Sequence, residues 1–105
     1  MPQLPTTFAA LGNATRLSIV ERLLAEGELS AGELQSSAKM SPPAMSRHFK
    51  VLREAGIVVQ RVDAQRRLYS VEPEAVQAIG EWVLNFRAFW SGSLDRLDAA
   101  LKEAK

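Results

Sequence analysis

The sequence predicts a mainly α domain with one small β-hairpin, an α+β chain built around a single core. Three observations predict it. Apolar residues recur at three- to four-residue spacing through the middle of the chain and again along its C-terminal third. Two short β-rich runs, IVVQRV and RRLYSV, stand with only DAQ between them. The 105 residues, 47% hydrophobic and 24% charged, provide one modest core and are too few for two.

Helices are expected first, over 5–26. TTFAAL is apolar enough for one helical segment. GNATRLSIVERLLAEG is a clearer one, with Asn13 as N-cap, Leu17, Val20, Leu23 and Leu24 at helical spacing, and Gly27 just past the end. Two short helices joined by a tight turn follow over 30–56. Ser30 to Glu33 matches a capping box, in which a serine and a glutamate each satisfy the other's backbone amide. After the AKM turn, Ser41 caps a helix that begins with two prolines. At its first two positions their missing N–H groups cost little, because first-turn donors have no intrahelical partner.

Projected at about 100° per residue, this proline-led helix has two faces. Met45, Phe49 and Leu52 form a tight apolar stripe, with Ala55 and His48 flanking it. Ser46, Arg47, Lys50 and Arg53 lie on the other side. Gly56 stops the helix where a left-handed residue is wanted. The hairpin occupies 57–71, and its tip is expected to carry Arg61, Gln65, Arg66 and Arg67. Pro73 then opens a long C-terminal helix over 73–104, which SGS at 91–93 is expected to bend or break. Val76, Ile79, Val83, Phe86, Trp90, Leu94 and Leu97 follow helical spacing along it, widened by Trp82, Phe89 and Leu101.

Charge is distributed unevenly. Between Lys39 and Arg67 there are seven Lys/Arg and two acids, a balance of +5, while the rest of the chain carries −4; the formal net charge is +1. That localisation points to an anionic partner. The absence of cysteine excludes disulfides, thiolate metal sites and thiol redox switching. No signal peptide or membrane-length apolar run is present, so a cytoplasmic protein is expected. Neither a nucleophile–base pair nor a glycine-rich phosphate loop is visible, which argues against an enzyme and against a bound cofactor. Glu81, Asp95 and Asp98 read as solvated helix carboxylates.

Two short helices, the second basic on its outer face, followed by a basic-tipped hairpin make the pattern of a winged helix-turn-helix. The major groove of DNA accepts one helix, and residues near that helix's start reach base edges. On this reading Ser41, Ser46, Arg47, Lys50 and Arg53 meet the major groove and its phosphates, and Gln65, Arg66 and Arg67 act from the wing. The rival is a winged helix used as a protein-interaction module, for which aromatic anchors would be expected on the exposed helix face.

ALGNATRLSIVERLL, followed by SAGELQSSAKMSPPAMSRHFKVLREAGIVVQRVDAQRRLYSV, closely resembles the ArsR/SmtB family of bacterial winged-helix repressors over roughly residues 8 to 71. The run MSRHFKVLREAGIV is its most diagnostic part. The resemblance implies a homodimer on a palindromic operator, with the first and last helices at the dimer interface: Phe8 and Leu11 from one, and Trp82, Phe86, Phe89, Trp90, Leu94 and Leu97 from the other. Packing that stripe between two copies would bury more aromatic surface than one small domain needs for itself.

The sequence also departs from the family's metal sensors. Ser30 and Ala31 stand where their thiolates would be expected, and the last helix offers Asp95 and Asp98 without histidine. Carboxylates alone suit a transition metal poorly, so no metal site is expected. His48, the only histidine, reads as a packing or phosphate-facing residue, since one imidazole makes no metal cluster. The inducer is a small apolar ligand near the aromatic interface, a protein antagonist, or absent altogether.

Overall fold

The computed structural model describes residues 3–103, and of Trp90 the backbone alone. Its elements are α1 (Leu4–Leu11), α2 (Ala14–Glu26), β1 (Leu29–Ser30), α3 (Ala31–Ser36), α4 (Pro42–Glu54), β2 (Val58–Asp63), β3 (Arg66–Val71), α5 (Pro73–Leu84) and α6 (Arg87–Glu103). The three strands form one antiparallel sheet in the order β1-β3-β2. This is a winged helix-turn-helix.

Local chemistry sets most of the boundaries. Asn13 Oδ1 accepts hydrogen bonds from the amides of Thr15 and Arg16, starting α2, and Gly27 leaves that helix at φ 80°. The capping box forms in full: Ser30 Oγ accepts from the Glu33 amide and Glu33 Oε1 from the Ser30 amide. That backbone donor, and then the serine hydroxyl, hold the Glu33 carboxyl below its ordinary range. Ser41 caps α4 with Pro42 and Pro43 in its first turn. Beyond the helix Gly56, at φ 75°, takes the left-handed conformation that a branched residue would resist.

Met45, Phe49 and Leu52 are buried, as their spacing predicts, with Leu52 wholly so. They pack with Ile19, Val20 and Leu23 of α2, Leu34 of α3, and Ile57, Val58 and Tyr69 of the wing region. The Phe49 ring stacks on Tyr69 at 4.5 Å between centroids, which fixes α4 against β3. Tyr69 OH in turn donates to Gln60 across the hairpin. On α2 the buried set is Ile19, Val20 and Leu23, while Leu17 and Leu24 are exposed, because they lie roughly 100° around the helix from that face.

The C-terminal third differs from expectation. It is two helices rather than one over 73–104, and the break falls at Asn85–Phe86, not in SGS, which runs inside α6. The Phe86 amide bonds to the Val83 carbonyl, tightening the end of α5 into a shorter-period turn, and asparagine competes for such backbone groups. β1 is also unanticipated: a two-residue strand that ends on the capping serine leaves no alternation to read, yet Leu29 and Ser30 pair with Tyr69 and Leu68.

A chain of this length has an expected radius of gyration of about 13 Å when compact. The observed value is 17.1 Å, with extents of 53 × 35 × 21 Å. The excess lies in α6, none of whose described side chains is buried.

Candidate nucleic-acid interface

The site is assembled on α4. The apolar stripe anchors one face of the helix in the core and leaves Ser46, Arg47, Lys50 and Arg53 exposed together on the other, with Ser41 exposed at the N-cap. Ser41 Oγ accepts from the Ala44 amide, so its hydroxyl hydrogen stays available to an external acceptor. With Pro42 and Pro43 next, the helix start lacks two of the amides that could grip a phosphate, and side chains must supply those contacts.

The wing places Gln65, Arg66 and Arg67 at or beside the hairpin tip, all exposed. Asp63 pairs with Arg66 in the ladder, so Ala64 and Gln65 alone make the turn. Ala64 sits at φ 57°, in the left-handed region. Arg61 does not belong to the tip. It pairs with Leu68 inside the ladder, and its guanidinium binds Glu28 through two 2.7 Å hydrogen bonds that brace the wing. Those bonds hold Glu28 below the ordinary carboxylate range, with burial opposing them.

Cation pairing divides the basic residues into two groups. Arg22, Arg61, Arg66 and Lys102 have carboxylate partners within 3.2 Å, and Lys50 lies 3.9 Å from Glu54. Among the described residues Arg16, Lys39, Arg47, Arg53, Arg67, Arg87 and Arg96 make no ion pair. Arg47, Arg53 and Arg67 lie on α4 or the wing and Lys39 in the turn just before α4, whereas Arg87 and Arg96 lie on α6 and Arg16 on α2, where its guanidinium is held by the Ala10 carbonyl. Unneutralised cations on α4, the turn before it and the wing create a positive field of the kind that attracts a phosphate backbone.

Three supports escaped the sequence reading. Arg22 reaches from α2 to the Glu33 carbonyl and the Ser37 hydroxyl, holding α3 in place. Gln35 donates to the Met40 carbonyl at 2.6 Å and closes the turn into α4. Arg16 donates to the Ala10 carbonyl at 2.6 Å and lies 3.3 Å from His48 Nδ1. Each joins residues distant in sequence or uses a backbone carbonyl, so no residue pattern announces it.

The residues expected at a dimer interface form a second surface. Phe8, Trp82, Phe86, Phe89, Leu94 and Leu97 are all exposed, at 41 to 65%. Phe8 meets the edge of Trp82 at 5.5 Å, and Trp82 meets Phe86 at 5.4 Å. Leu11 differs: it is half-buried and packs against the core, because it closes α1 onto α2. The Trp90 side chain lies outside the described residues. Ser30, at the position of the family sensors' thiolates, is engaged in capping α3.

Comparison with known proteins agrees with this geometry. A family model described as a helix-turn-helix domain matches residues 11–61. The HTH-type transcriptional regulator Rv2034 of Mycobacterium tuberculosis is 40% identical over 87 residues, covering 83% of this chain and 78% of that protein. The transcriptional repressor SdpR of Bacillus subtilis is 30% identical over 79 residues, covering 75% and 87%. Among solved structures, the crystal structure of the ArsR family transcriptional regulator RHA00566 superposes with a TM-score of 0.76 at 25% identity, covering 84% of this chain and 96% of that one.

Proposed function

The chain belongs to the ArsR/SmtB family of winged helix-turn-helix transcriptional regulators, and from that membership we propose that it is a homodimeric repressor of a palindromic operator. It is a DNA-binding regulator and not an enzyme. The observation that carries the finer reading is the set of cations without carboxylate partners on α4, its preceding turn and the wing. In this reading Ser46 and Arg47 reach base edges, Ser41, Lys50 and Arg53 meet phosphates, and Gln65, Arg66 and Arg67 act from the wing on the flanking groove.

Dimerisation is supported by the apolar surface of α1, α5 and α6. Leu94, Leu97 and Leu101 fall within about 60° of one another around α6, all more than half exposed. A stripe of that kind on a projecting helix is covered economically by its own copy across a two-fold axis. Two recognition helices related by that axis match half-sites about one helical turn, or 34 Å, apart. Repression is supported by the Bacillus subtilis relative that carries that name.

A mobility-shift titration at several salt concentrations, with duplexes selected by the protein from a random pool, tests the reading. A steep fall of affinity with salt and a palindromic selected sequence are expected. Absence of binding to any duplex at low salt would favour the protein-interaction module instead. A reporter downstream of the selected site should be silenced when the protein is expressed, and rising output would make it an activator.

A further inference from the structure

His48 is the chain's only histidine, and it sits half-buried on the flank of α4 rather than among the outward cations. Its Nδ1 lies 3.3 Å from an Arg16 guanidinium nitrogen. An arginine carries donors only and stays charged at any ordinary pH, so this contact is a hydrogen bond only if Nδ1 is unprotonated. As a hydrogen bond, the contact requires a neutral imidazole with its proton on Nε2. Its surroundings agree: burial first, then the charges of Arg16 from α2 and of Arg47 from α4, push its pKa below the ordinary value, and no carboxylate is among the charges acting on it.

Arg16 is committed on its other side as well. Its Nε donates to the Ala10 carbonyl at 2.6 Å, one of the last carbonyls of α1, which lack helical partners. Three elements meet at one guanidinium: the end of α1, the first turn of α2 and the middle of α4. Helix α1 is also the one whose Phe8 packs on Trp82 of α5.

We infer that Arg16 and His48 are positioning residues, forming a tie that sets the angle of the recognition helix relative to the helices of the dimer face and hence the half-site spacing that the dimer accepts. This rests on the DNA-binding, dimeric reading above. The tie touches no base. Its loss changes which spacing fits, whereas loss of a phosphate contact weakens every spacing alike.

The test compares the selected palindromic duplex with versions carrying one base pair more or fewer between half-sites. Wild type should discriminate against both. Arg16→Lys, which keeps the charge but loses the planar fork, and His48→Leu, which removes the acceptor, should each reduce that discrimination by roughly three- to thirty-fold. His48→Asn, which retains an acceptor near the Nδ1 position, should keep it, and the Arg16→Lys/His48→Leu double variant should be no worse than either single. Thermal melts check that each variant folds; if His48→Leu does not, Arg16→Lys carries the test. Folded variants with wild-type spacing discrimination would overturn the tie's role and leave the DNA reading standing. Failure of the wild type to bind any duplex would overturn both. The single imidazole also gives an unambiguous nitrogen spectrum. An Nε2–H tautomer at pH 7.5 is expected, and an Nδ1–H tautomer or an imidazolium would overturn the tie.

Discussion

Arg47 shows what a residue can do once its neighbours leave it unpaired. It is exposed on the outer face of α4 and makes no ion pair among the described residues. If it pairs with a guanine edge, Arg47→Ala should cost roughly 1–3 kcal/mol of operator binding and relax selectivity at one base position. Affinities measured against all single-base operator variants check this; equal loss on every sequence would make Arg47 a phosphate contact instead. Ser46, Arg47 and Lys50 were legible as outward residues because a helix with a buried Met45/Phe49/Leu52 stripe has only one other face to show. Arg61 was not. Its place in a cluster of arginines suggested the wing tip, and only the pairing of β2 with β3 shows it turned toward Glu28.

At the scale of elements, the wing carries two checkable features. Ala64 holds a left-handed conformation that costs an L-residue roughly 1–2 kcal/mol, while glycine's added chain entropy returns roughly 0.5–1 kcal/mol of any gain. Ala64→Gly should therefore stabilise the domain, by up to about 1 kcal/mol in denaturant titration, and a loss of stability would show that the turn tolerates alanine without strain. The Glu28–Arg61 brace makes the wing's stability depend on pH. Because the folded carboxyl titrates below its unfolded value of about 4.3, its contribution is present above that pH and is lost as pH falls through the lower folded value. Wild type should exceed Glu28→Gln in melting temperature at neutral pH, with the gap closing below about pH 4. A constant gap would assign the effect to packing. Capping residues made these element boundaries readable, since Asn13, Ser30, Ser41, Gly27 and Gly56 act within a few residues of themselves. The Asn85 break escaped because it rests on one tightened turn rather than on a glycine or proline.

The whole molecule is longer than its core requires, and α6 accounts for the difference. Leu97 is 55% exposed, so Leu97→Glu should leave a single chain's stability within about 0.5 kcal/mol while placing a charge in the proposed dimer seam. Sedimentation should then show the variant at half the mass of the wild type at micromolar concentration. Unchanged mass would move the interface elsewhere. The same variant should lose affinity for a full palindrome far more than for a half-site, because two linked recognition helices gain from effective concentration.

Periodicity, caps and charge placement thus sufficed for the winged helix-turn-helix, the face that α4 presents and the basic character of that face. These are local properties, set by spacing of 3.6 or 2 residues and by hydrogen bonds that close within one turn. What only tertiary structure decided is which polar side chains remain available. Arg61, Arg22 and Arg16 are basic in sequence just as Arg47, Arg53 and Arg67 are, yet the fold commits the first three to Glu28, to the end of α3, and to Ala10 with His48. Those partners lie 6 to 33 positions away in the chain, a distance over which no residue pattern carries information. Folding alone brings them within hydrogen-bond reach.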